Sequence, residues 1–152
     1  MKLEQSAIFE KFIHIIDQIP FNRILGLKLK SIESDHIIVS FEMKNELVGN
    51  FLHGILHGGV ISSVIDMAGG IVAMAAVIQK KSDHTIEQLA KTLGKASTIS
   101  LHVDYLQPGK GEHFTAKAWA LHQGNKIIFT RVEMYNQDTS LIAAGTATYL
   151  VG

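Results

Sequence analysis

A chain of 152 residues, 47% hydrophobic and 18% charged, has the length of one domain and enough apolar material to bury a core. Fourteen Lys and Arg balance fourteen Asp and Glu, so the chain lacks the basic footprint of a nucleic-acid binder and the charge that would hold it to an anionic membrane. It has no cysteine, which excludes disulfides, zinc–thiolate sites and a thiol nucleophile.

The start, Met1-Lys2-Leu3-Glu4-Gln5, carries charges where a secretory leader would be apolar, and the expected compartment is the cytoplasm. Residues 7–19 predict an amphipathic helix, because Ile8, Phe12, Ile15, Ile16 and Ile19 recur at helical spacing and Pro20 then stops it. Residues 21–26 read as a short connector. A strand is expected over 27–32. After a turn at Ser34-Asp35 comes a second, in which Ile37, Val39 and Phe41 alternate with Ile38, Ser40 and Glu42. Residues 44–58 form a loop rich in Asn and Gly. A long apolar helix is expected over about 59–80, followed by a charged surface insertion over about 81–95 that is helical near 85–93. Runs at 97–106, 113–122, 126–136 and 141–151, broken by Pro-Gly and Asn-rich turns, predict four strands in an antiparallel meander.

The apolar run at 60–79 is long enough to span a bilayer, but Asp66 lies inside it and the rest of the chain patterns as an amphipathic domain. The better reading is a helix covered by protein on nearly all sides, with no membrane insertion. A meander must wrap such a helix to hide it, which gives an α+β architecture. The open edge of that sheet could pair with a second copy, so a dimer is the smallest assembly expected.

Two features of this stretch carry chemistry. His57-Gly58-Gly59 stands just before the long helix, where free N–H groups and a partial positive charge could hold a carbonyl oxygen as it turns into an oxyanion. The same residues also suit a glycine-rich turn that simply starts a helix. Asp66, nine residues after His57, is costly in an apolar helix unless it is paired or functional, and Gly69 and Gly70 thin the helix beside it. It is either a functional carboxylate or a structural one bonded to a neighbouring strand's backbone. His53 and His57 are four apart, but the glycines break the register a metal pair would use, so no metal is expected. Ser62 and Ser63 lack a nucleophile elbow, and Phe114, Trp119, Phe129, Tyr135 and Tyr149 read as packing residues of strands.

The run Leu56-His57-Gly58-Gly59-Val60 followed by Asp66 resembles the HGG-x6-D signature of the PaaI-like branch of hotdog thioesterases. Within that branch the resemblance is to the bacterial YigI-type medium- and long-chain acyl-CoA thioesterases. It extends over nearly the whole chain, including Pro20-Phe21-Asn22, Val103-Asp104-Tyr105-Leu106-Gln107-Pro108, Gln123-Gly124-Asn125-Lys126 and the closing Thr146-Ala147-Thr148-Tyr149-Leu150-Val151-Gly152. The resemblance implies one hotdog domain over 1–152. Its antiparallel sheet wraps the central helix, in homodimers or homotetramers with active sites between subunits and no cofactor. It implies hydrolysis of a medium- or long-chain acyl-CoA to the fatty acid and coenzyme A. Asp66 is then the nucleophile or general base, the Gly58 N–H polarises the carbonyl, and His57 shapes the loop and bonds near the leaving sulfur. Thr98, expected from the opposite subunit, positions the water. The family's Asn stands six residues before the HGG histidine. Phe51 holds that place here, and Asn50 reaches the site only if the loop differs by one residue. Gly59, Gly124 and Lys126 are the implied substrate contacts. Ile61, Val64, Ile65 and Met67 are the expected apolar lining between subunits. The rival functions are a non-catalytic acyl-CoA binding protein and an acyl dehydratase or hydratase.

Overall fold

The computed structural model describes residues 3–81 and 83–152. Residues 1, 2 and 82, which belong to the expected chain start and the charged insertion, lie outside the described residues. The first helix, α1 (Leu3–Gln18), buries Phe9, Phe12 and Ile16, while Ile15 stands exposed, contrary to the pattern read from the sequence. Pro20 does not lead into a connector. It opens a second helix, α2 (Pro20–Leu25), because proline's fixed φ and missing N–H suit the first turn as well as they stop the turn before. Gly26, at φ 70°, ends α2 in the left-handed conformation. Asn22 is fully buried and donates from Nδ2 to the Ile16 carbonyl at 2.9 Å, which fixes α2 against α1.

Strands β1 (Lys28–Ile32) and β2 (His36–Glu42) follow, the second with Ile37, Val39 and Phe41 inward as its alternation predicts. The expected 44–58 loop holds a 3-10 turn and a small ladder of β3 (Val48–Asn50) with β4 (Ile55–Leu56). The long helix α3 runs Gly58–Lys80. In the charged insertion, α4 (Ile86–Leu93) begins with a reciprocal capping box between Thr85 and Gln88 and buries Leu89 in the core. The remaining strands are β5 (Ser97–Tyr105), β6 (His113–Gln123), β7 (Ile127–Asn136) and β8 (Leu141–Leu150).

All six long strands pair antiparallel in the order β1-β2-β6-β7-β8-β5. Only β6, β7 and β8 form the expected meander. After two helices β5 comes down at the far edge, beside β8, and leaves its neighbouring place to β2. The sheet curls around α3, whose Val64, Ile65, Ala68 and Ile71 are fully covered. Ala116, Ala118 and Ala143 on the facing strands are equally buried, and their small side chains let the helix lie close to the sheet. Burying each such Ile stabilises the fold by roughly 1.5–3 kcal/mol. This accounts for the long apolar run. The helix has the length and composition of a membrane span, yet 67% of its most apolar stretch is inside the protein.

Val64 and Ile65 therefore face the chain's own core and cannot line a cleft between subunits, while Ile61, also buried, edges the surface only at the start of α3. Of the four residues expected there, Met67 alone lies on the half-buried side of α3. An apolar helix with one face in a curled sheet spends its bulky branched residues on that face.

Candidate functional site

The first part of the site is the start of α3. His57 is its N-cap, with extended backbone (φ −64°, ψ 136°), and its ring Nδ1 accepts from the Gly59 N–H at 2.8 Å. A neutral imidazole so engaged carries its proton on Nε2, which points a donor away from the helix. The fold-back of the ring requires a glycine at 59, since a Cβ there would lie 2.9 Å from Nδ1. The Gly58 N–H has no acceptor among the described residues. Its carbonyl accepts from the Tyr105 hydroxyl at 3.1 Å, a tether from β5 that the sequence reading did not single out. Clefts of about 410 and 380 Å³ flank this helix start. One is walled by Phe21, Ile24, Leu47 and His57, the other by Leu56, Ile61, Tyr105 and Pro108.

The second part is Asp66, half-buried in α3. It is not bonded to a strand's backbone. Two strand hydroxyls reach the same carboxylate oxygen: Thr98 Oγ1 donates to Oδ1 at 2.9 Å and Tyr149 OH lies 3.1 Å from it. The β5–β8 register pairs Thr98 with Tyr149, with a bulge immediately after Thr98, which brings both hydroxyls to Asp66 from neighbouring strands. The phenol also donates to the Asp66 main-chain carbonyl at 2.6 Å. Gly69 makes room for it, since a Cβ there would come 2.5 Å from the phenol oxygen and 2.9 Å from Thr130 Oγ1. Burial, the Asp66 charge and the bond to Asp66 push the Tyr149 phenol well above its usual range. The Gly70 N–H and the Thr130 hydroxyl pull weakly the other way. Tyr149 is thus a donor at every working pH. No donor reaches Asp66 Oδ2 among the described residues.

Thr98 and Asp66 meet within one chain, which corrects the expectation that Thr98 comes from the opposite subunit. Tyr149, expected only to pack, is a polar partner of Asp66. Asn50 closes the turn of the β3–β4 ladder that leads into His57: its Oδ1 accepts from the Leu52 N–H at 3.1 Å and its carbonyl from the Gly54 N–H at 2.9 Å, and among the described residues its side chain has no hydrogen bond to Asp66 or Gly58. Phe51, at the family's Asn place, is 86% exposed. Gly124 lines a cleft of about 250 Å³ with Lys80, Lys81 and Asn125 at the far end of α3, and the exposed Lys126 belongs to the same turn. Lys80 is fourteen residues beyond Asp66, about 21 Å along the helix. In one chain, then, Gly124 and Lys126 are not part of the Asp66 cluster. The helix start is also apart from it: eight residues separate Gly58 from Asp66, about 12 Å.

The family model that matches, described as "Thioesterase superfamily", covers residues 53–143, from the loop before α3 into β8. The medium/long-chain acyl-CoA thioesterase YigI of Escherichia coli strain K12 is 41% identical over 147 residues, 97% of this chain and 93% of that one. Among solved structures, a Shewanella oneidensis protein related to the thioesterase superfamily superposes with a TM-score of 0.95 at 38% identity over the full length of both chains. The E. coli PaaI protein of the phenylacetic acid degradation operon superposes with a TM-score of 0.71 at 18% identity, over 97% of this chain and 95% of that one, a likeness of fold alone. Together these bear out the hotdog fold and the resemblance read from HGG-x6-D.

Proposed function

Because this chain belongs to the thioesterase superfamily, we propose that it hydrolyses a medium- or long-chain acyl-CoA to the free acid and coenzyme A, with Asp66 as general base or nucleophile. The observation that carries this reading is the Asp66 carboxylate: Oδ1 is held by strand hydroxyls and Oδ2 is left for the reaction. The acyl-CoA class comes from the 41% identical relative, whose name gives that substrate.

In the general-base form, Asp66 takes a proton from water while the oxygen adds to the thioester carbon. The carbonyl becomes an oxyanion facing the Gly58 N–H, the oxyanion collapses as the C–S bond breaks, and the proton that Asp66 took from water is passed to the departing thiolate, which restores the carboxylate. The His57 Nε2–H can offer a hydrogen bond to that sulfur without giving up its proton. A thioester has two arms, one on each side of its carbonyl, and the two clefts beside Gly58 suit that shape. The 12 Å between Gly58 and Asp66 along one helix is too long for both to act on one carbonyl. A complete site therefore takes Asp66 from one chain and Gly58 from another. β5 supports such pairing, since nearly all of its nine residues are exposed at the open sheet edge.

Free coenzyme A release from a panel of acyl-CoAs of increasing chain length tests the reading. Release that peaks at medium or long chains is expected. Tight binding of every acyl-CoA without thiol release would replace the hydrolase with a binding protein. Thr98→Ala removes one of two donors to Oδ1 and leaves the carboxylate. A turnover loss of about tenfold is expected, from a hydrogen bond to a charged group. A loss as large as that of an Asp66 variant would make Thr98 the leading residue.

A further inference from the structure

We propose that Tyr149 is the positioning residue of the site, and that its hydroxyl, inserted beside Gly69 and bonded to both the main chain and the carboxylate of Asp66, fixes which carboxylate oxygen meets the substrate. The inference rests on the proposed role of Asp66. Its ground is a set of contacts that packing alone does not require. A tyrosine placed on β8 only to fill the core would not need glycine at 69, where a methyl group would come 2.5 Å from the phenol oxygen. Nor would its hydroxyl lie within reach of two oxygens of one aspartate, 2.6 and 3.1 Å away.

The phenol has one proton, so it is shared between these oxygens, with the shorter leg to the carbonyl. That leg holds the helix backbone at Asp66. The longer leg, with Thr98 on the same oxygen, opposes rotation of the carboxyl group. Burial and the neighbouring charge keep the phenol protonated, so the restraint persists across the working pH range. Oδ1 is thereby occupied and Oδ2 is presented. Removing the hydroxyl leaves the nucleophile or base in place but free to turn, which lowers the rate of the chemical step more than the affinity for substrate.

The test is kcat and KM for acyl-CoA hydrolysis by full-length wild type, Tyr149→Phe and Asp66→Asn, with thermal melts on the same samples. Tyr149→Phe is expected to lower kcat about tenfold, the low end for a hydrogen bond to a charged group because the proton is shared, with KM unchanged. Asp66→Asn abolishing turnover while Tyr149→Phe keeps wild-type kcat would overturn the inference and leave the Asp66 reading standing. Wild-type rates from both variants would remove that reading and the inference with it. A kcat loss in Tyr149→Phe that only tracks a lost folded fraction would reduce Tyr149 to packing. If Tyr149→Phe does not fold, Gly69→Ala displaces the phenol oxygen without deleting it. The same fall in kcat at constant KM is expected there, and wild-type kcat from folded Gly69→Ala would overturn the proposal.

Discussion

Asp66→Asn folds normally and loses about 10²–10⁴ of acyl-CoA turnover, the contribution of a positioned general base. The substitution is nearly isosteric. The amide oxygen still accepts from Thr98 and Tyr149, so the contacts that hold the side chain survive while its charge and basicity vanish. With these contacts kept, the melting temperature should hold. Steady-state coenzyme A release together with a thermal melt checks both halves. A folded Asp66→Asn protein with near wild-type turnover would take the carboxylate out of the mechanism.

The second large effect is expected at the helix start. Gly58→Pro deletes one N–H and little else. Gly58 is the first residue of α3, where proline is tolerated, and His57 before it already has the extended backbone that precedes proline. A side chain at 58 would make only ordinary contact with the Tyr105 ring, 3.4 Å from the Cβ position. With the fold kept, loss of the proposed oxyanion donor should cost about 10²–10³ in kcat. Gly58→Ala restores the N–H on a similar shape and should recover most of that loss. Equal rates from the Pro and Ala variants would show that the Gly58 N–H does not serve the reaction.

Much of this was readable from particular residues. The long apolar run and the aspartate inside it marked α3 and Asp66, because an uncompensated acid in such a run has few structural excuses. The alternation of Ile37, Val39 and Phe41 gave the inward face of β2. What was missed depends on long-range placement. Tyr149 meets Asp66 across 83 residues of sequence, through a β5–β8 register that no local pattern encodes. The position of β5 at the sheet edge, and the union of Thr98 with Asp66 in one chain, follow from the same crossover. Pro20 misled because proline both ends one helix and begins the next. Val64 and Ile65 misled because an apolar side chain reads alike whether it faces its own sheet or a partner. Gly69 and Gly70 did signal that some group approaches the helix near Asp66, and that group is the Tyr149 phenol.

The central claim, thioester hydrolysis by Asp66 of one chain and Gly58 of another, is tested most directly by coenzyme A release from mixed assemblies of Asp66→Asn and Gly58→Pro chains. Each variant alone is expected to be nearly inactive. Co-expressed in equal amounts, half of the dimers pair unlike chains, and each of these regains one intact site, so about a quarter of wild-type activity should return. Activity no greater than the mean of the two separate variants, in assemblies shown to contain both chains, would contradict a site shared in this way.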